Sequence, residues 1–169
     1  MIAHPPCTYL TVTGNRWFNV ERYGEQALER LKLRDEAVEF FLKFTTAKCQ
    51  RIAIENPVGY VSSAYKKPTQ IIQPWQFGDN YSKTTCLWLA GLPQLVPTVT
   101  QKPELEWFEW IDSKTGKKKR QPKWYAEAFS LPPKERAKVR SKTFPGIAEA
   151  MAEQWGDPSN IIEEQTSLF

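Results

Sequence analysis

The chain of 169 residues has one histidine, His4, and three cysteines, Cys7, Cys49 and Cys86. Any Cys–His or Ser–His–Asp chemistry therefore depends on a single imidazole. An odd number of cysteines without paired spacing gives neither a disulfide framework nor a zinc knuckle. Glycine is sparse too. Gly14, Gly24, Gly59 and Gly78 stand alone, so no glycine-rich loop is available to cradle a phosphate or a nucleotide. No stretch is apolar enough to span a membrane, and Met1-Ile2-Ala3-His4 does not open a signal peptide, so the expected compartment is a reducing cytoplasm.

Aromatic side chains are abundant: seven Trp, nine Phe and six Tyr. Part of that set fills a core, and the rest suits stacking on bases or partner side chains. The net charge of +4 permits nucleic-acid binding without requiring it. Its distribution is more informative. Lys114, Lys117, Lys118, Lys119, Arg120 and Lys123 form one basic run, and Lys134, Arg136, Lys138, Arg140 and Lys142 a second, whereas the last segment carries Asp157, Glu163 and Glu164. A solvated loop or helix face explains such runs equally well.

Met1-Ile2-Ala3 reads as the end of a strand, halted by Pro5 and Pro6; a chain that begins there looks cut. Over residues 20–46 the apolar positions recur at helical spacing. Arg51-Ile52-Ala53-Ile54 reads as a buried strand ended by Glu55-Asn56-Pro57, and residues 68–78 read as irregular. Thr84-Thr85-Cys86-Leu87-Trp88-Leu89 is a second core strand. Residues 105–111 and the basic stretch after Gly116 form a hairpin, residues 146–155 a short amphipathic helix, and the residues after Gly156 a flexible tail. The order of elements indicates an α/β domain.

Two motifs at strand ends carry a family resemblance. Ala3-His4-Pro5-Pro6-Cys7 resembles the Pro-Cys nucleophile loop of cytosine-5 DNA methyltransferases, and Ile54-Glu55-Asn56-Pro57 resembles their Glu-Asn motif. Further likeness to a phage and prophage family of such enzymes runs through Val58-Gly59, Gln73-Pro74-Trp75-Gln76-Phe77-Gly78, Lys83-Thr84-Thr85-Cys86-Leu87-Trp88-Leu89, Gly91-Leu92-Pro93 and residues 143–152. The resemblance implies a partial doubly wound, methyltransferase-like Rossmann sheet lacking its first strands, with a small hairpin recognition region. The implied organisation is a truncated core over residues 1–99 and a basic, aromatic target-recognition region over 100–140. The closing helix then spans 141–156 and the tail 157–169.

The chemistry accounts for the residue types. Carbon 5 of cytosine takes a methyl group only after a thiolate has added to carbon 6, the role implied for Cys7. Glu55 would meet the Watson–Crick edge of a base flipped out of its helix. Asn56 and Lys83 are implied at the substrate; the family places an arginine where Lys83 stands, and an ammonium is not a planar fork. Lys117, Lys118, Lys119 and Arg120, interleaved with Trp107, Trp110, Trp124 and Tyr125, suit phosphate contact and stacking. A small buried hydrophobe is the ordinary alternative for Cys7.

The glycine-rich strand–turn–helix that holds S-adenosylmethionine in this family is absent, so the cofactor is expected only if a missing N-terminal half is supplied. Without it the nucleophile strand has an open edge. A cofactor-domain subunit, a homodimer or local cover would close that edge. The expected function is thus the base-handling half of a cytosine-5 DNA methyltransferase, not active alone. The alternative is a non-catalytic phage protein on the same truncated fold, binding DNA, the sliding clamp or a host defence factor. The terminal Gln165-Thr166-Ser167-Leu168-Phe169 looks like the peptide that docks on the bacterial sliding clamp, with Gln165, Leu168 and Phe169 in its pockets. A third reading sets His4-Pro5-Pro6 beside the Asp-Pro-Pro-Tyr loop of amino-methyltransferases; it fits His4 and Cys7 poorly and leaves Glu55 and Asn56 unexplained.

Overall fold

A computed structural model describes residues 1–156. The described residues form two compact units, Met1–Ile72 with Thr84–Leu95 and the pair Trp155 and Gly156, and Gln73–Lys83 with Val96–Gln154.

The first unit is built on a four-stranded mixed sheet. Strand β1 (Ile2–Ala3) leads through a 3-10 segment (Val12–Phe18) and helices α1 (Val20–Tyr23) and α2 (Glu25–Thr45) to β2 (Ile52–Pro57). Helix α3 (Val61–Ala64), β3 (Gln70–Ile72) and β4 (Thr85–Ala90) follow. The sheet order is β1-β2-β4-β3. β1 and β2 are parallel, with Ala3 opposite Ile54, and parallel neighbours need a crossover, here supplied by α2. β4 runs antiparallel to both β2 and β3. The fold is therefore mixed α/β.

The pleat sorts the side chains. Ile52 and Ile54 of β2 join Cys86, Trp88 and Ala90 of β4 in a core cluster with Phe41 of α2, and Phe41 meets Trp88 edge-on, 5.1 Å between centroids. The alternate positions Ala53, Leu87 and Leu89 are buried on the opposite face. β4 is buried at every residue, as its central place and its apolar run require. The helix expected over residues 20–46 is broken at Gly24, whose φ of +52° an α-helix cannot accommodate. β3, read from sequence as irregular, is a three-residue strand held by its register with Thr85, Cys86 and Leu87.

The second unit holds a 3-10 turn (Pro74–Phe77) and the antiparallel hairpin of β5 (Trp107–Ile111) and β6 (Lys118–Pro122). Helices α4 (Lys123–Glu127) and α5 (Pro133–Ser141) and all but the last two residues of α6 (Pro145–Gly156) complete it. Tyr81, Trp124 and Phe144 form an aromatic cluster with centroids 5.2–6.3 Å apart. The spacing of Ile147, Ala150 and Met151 gives α6 its buried face. Among the described residues no helix is long and apolar enough to cross a membrane.

Candidate functional site

The C-terminal ends of β1 and β2 lie side by side, and the two motifs extend from them. Register carries past the paired residues: if Ala3 faces Ile54, then His4 falls beside Glu55 and Pro5 beside Asn56. The side chains follow. His4 Nδ1 lies 3.2 Å from Glu55 Oε2, and Asn56 Nδ2 donates to the Pro5 carbonyl at 2.9 Å. Asn56 is only 1% exposed, and its Oδ1 is buried without a hydrogen-bond partner among the described residues.

Cys7 is exposed. Its carbonyl accepts from the backbone N–H groups of Leu10 and Thr11, both at 3.0 Å, so the chain turns sharply just after the thiol. The turn is fixed from two sides. Leu10 and Thr11 pair with Gly59 and its neighbours, through Tyr60 N–H to Leu10 O at 2.7 Å and Val12 N–H to Val58 O at 3.3 Å. A β-carbon at Gly59 would run into the Leu10 carbonyl, which is why this position, just beyond Glu-Asn-Pro, is glycine.

From the other side, Arg34 of α2 holds the segment that follows Cys7. Its Nε donates to Tyr9 O at 3.3 Å and its Nη2 to Asn15 Oδ1 at 3.2 Å. The guanidinium also stacks on Phe18, 3.2 Å from the ring centroid, and on Tyr60 at 4.5 Å. Burial draws its pKa below the ordinary arginine value, with Arg30 adding and Tyr60 and Asp35 opposing. Arg34 escaped the sequence reading, although its spacing showed it: Ala27, Arg34 and Phe41 repeat every seven residues on the buried side of α2.

Beneath the site, Cys86 faces Asn56 across β2 and β4. Burial, then the Glu55 carboxylate, pushes its thiol up to about 11, so Cys86 is a neutral core side chain.

The structure thus sets the loop that leads to Cys7 beside Glu55 and Asn56, through His4 on Glu55 and Pro5 on Asn56. Lys83 belongs to the second unit, where its Nζ reaches the Lys142 carbonyl at 3.4 Å and lies over the Phe144 ring. Within the same unit three lysines of the basic run pair with acids, while Lys114 and Lys117 are exposed with no ion pair among the described residues. Lys118 pairs with Glu109 at 2.6 Å, Lys119 with Asp112 at 2.5 Å and Lys123 with Glu106 at 3.1 Å. Arg120 lies over Trp107. Asp112 is held well below the usual carboxylate range by Lys119 and by the Thr115 hydroxyl and N–H. Trp124, read as a stacking platform, is engaged in the aromatic cluster and donates to Ser82 O at 3.2 Å. Phe108, half exposed on the hairpin, went unremarked.

Comparison with protein-family models, curated proteins and solved structures finds no match.

The described residues do not fit S-adenosylmethionine in the way the resemblance implies. Such a site needs a glycine turn leading from a strand into a helix. The left-handed glycines are Gly24, between two helices, Gly78, after a 3-10 turn, Gly91, after β4 with no helix next, and Gly116, in the hairpin. Among the described residues no three His, Cys, Asp or Glu side chains group to hold a metal. The clamp-like peptide, Gln165, Leu168 and Phe169, lies outside the described residues.

Proposed function

We propose that this chain is the base-handling part of a cytosine-5 DNA methyltransferase-type site, working in a bacterial cytoplasm with any S-adenosylmethionine held by another polypeptide or a further part of the protein. The observation that carries the reading is the pairing of the Pro-Pro-Cys loop with Glu-Asn-Pro at the ends of two adjacent parallel strands, tied by Asn56 to Pro5. Ligand sites in α/β sheets favour such strand ends.

The half-reaction needs no methyl donor. The Cys7 thiolate forms a bond to carbon 6 of a flipped cytosine. The C5=C6 electron pair shifts to C4=C5 while N3 takes a proton delivered through Glu55. The enamine then takes a proton from solvent at carbon 5. Loss of the original carbon-5 hydrogen and expulsion of the sulfur restore the ring. In D2O the result is a cytosine deuterated at carbon 5. Incubating the chain with single-stranded DNA and measuring that deuterium by mass spectrometry tests the reading. Exchange that disappears in Cys7→Ser supports it; DNA binding without any exchange overturns it.

A second reading, a non-catalytic DNA-binding protein with the same residues, is favoured by His4, whose imidazole already holds a Glu55 oxygen that a base would need. His4→Ala separates the two. Faster exchange in the variant supports a catalytic site that His4 guards. Absence of exchange in both proteins, with DNA bound, favours the binder. In either reading the terminal peptide would bring the chain to the sliding clamp. A clamp pull-down undiminished by deleting residues 165–169 would refute that part.

A further inference from the structure

Residues 107–142 hold eleven Lys and Arg against four Asp and Glu, a net +7, while the rest of the chain is net −3. The two basic runs within that stretch are built differently. In the hairpin, Lys118 and Lys119 bind the acids of the facing strand and its turn, Lys123 binds Glu106, and Arg120 lies 4.5 Å over Trp107. Those cations hold β5 to β6, whereas Lys114 and Lys117, at the turn, are exposed with no acidic side chain within ion-pair distance among the described residues.

Helix α5 is arranged the other way. Its arginines turn inward: Arg136 donates to Leu131 O at 3.1 Å and lies over Phe129, and Arg140 lies 4.7 Å over Tyr125. Its lysines face solvent. Lys134 and Lys138 are exposed, with no acidic side chain within ion-pair distance among the described residues. At positions i and i+4 they stand about 6 Å apart on one side of the helix. Ala137 and Ser141, small and exposed, lie between and after them, so nothing bulky keeps a rod of negative charge away. No side chain of α5 is buried. A nine-residue helix without a buried face is marginal in water, and two arginine–aromatic contacts tie this one down.

We propose that α5, rather than the acid-paired lysines of the β5–β6 hairpin, is the phosphate-contacting element, with Lys134 and Lys138 set along the backbone of a nucleic-acid strand. The inference rests on the DNA-binding part of the function proposed above. Ammonium groups on flexible stems suit it because phosphates ask for charge and reach, not for a planar fork. Such contacts position the strand and carry no base sequence.

The test compares the full chain with Lys134→Gln/Lys138→Gln and with Lys118→Gln/Lys119→Gln, measuring anisotropy of a labelled oligonucleotide over a series of salt concentrations. Glutamine keeps helix propensity, and circular dichroism checks it. The expected result is a log K against log salt slope shallower by about 1.4 to 1.8 for the α5 variant, two phosphates released. The hairpin variant keeps the parent slope and loses thermal stability. A slope lost in the hairpin variant and kept in the α5 variant overturns the proposal while the DNA-binding reading survives. Competition by polyglutamate as effective as by DNA overturns it in favour of an acidic protein partner. Absence of DNA binding by the parent chain overturns both readings.

Discussion

The side-chain amide of Asn56 donates to the carbonyl of Pro5 at 2.9 Å, tying the loop that ends β1 to the end of β2. Two prolines in succession have no backbone N–H to offer, so this loop cannot be secured by continuing the strand ladder. The tether must come from a side chain, and an amide in β2 supplies it. Cys7 follows two residues later, so Asn56 is a positioning residue for the thiol.

Asn56→Ala would leave the Pro5 carbonyl without its donor inside the fold. A stability loss of about 1–3 kcal/mol is expected from urea unfolding. If the proposed function holds, carbon-5 exchange falls more than DNA affinity, because the loop that carries Cys7 loosens while the cations of the second unit are untouched. Equal losses of exchange and affinity would contradict the positioning role.

Gly59→Ala would force a methyl group into the Leu10 carbonyl, and the backbone must move to admit it. Overpacking of this kind costs about 1–3 kcal/mol. Limited proteolysis should then cut the segment after Cys7, between Tyr9 and Phe18, sooner than in the parent. Unchanged cleavage together with an unchanged melting temperature would count against the Gly59–Leu10 contact.

The three thiols should separate by reactivity. Cys7 and Cys49 are exposed and are expected to alkylate in the folded protein, whereas Cys86 should react only on unfolding. The same burial makes stability depend on pH. The Cys86 thiol stays protonated in the fold to about pH 11, against an ordinary value of 9.0, so between these values the unfolded chain releases a proton that the folded one keeps. Stability contributed by the neutral thiol is complete below pH 9 and is lost as the pH rises toward 11. Cys86→Ala should flatten that part of the stability–pH curve, measured by urea midpoints; an unaltered slope would refute the assignment.

Much of this was visible in the order of residues. β2 and β4 announce themselves as short apolar and β-branched runs with clear stops, and α6 by its periodicity. The Pro-Pro-Cys and Glu-Asn-Pro motifs are legible as strand ends. β3 was not, because Gln70, Ile71 and Ile72 become a strand only through pairing with β4. α5 was not, because its sequence has no apolar stripe; its arginines find their aromatic partners only once the chain has folded. Gly24 was read through as part of a helix, since a lone glycine does not disclose its φ.

The sequence by itself determined which groups the candidate site contains: one thiol after two prolines, a Glu-Asn pair after an apolar strand, and two basic runs. Those follow from covalent chemistry and local propensity. The tertiary structure alone decided what each group faces. Parallel pairing of β1 with β2 set His4 on Glu55 and Asn56 on Pro5, and hairpin register matched lysines with acids and left the exposed lysines of α5 unpaired. The physical reason is that register and crossover connections join residues about fifty positions apart, a distance at which no local pattern carries information.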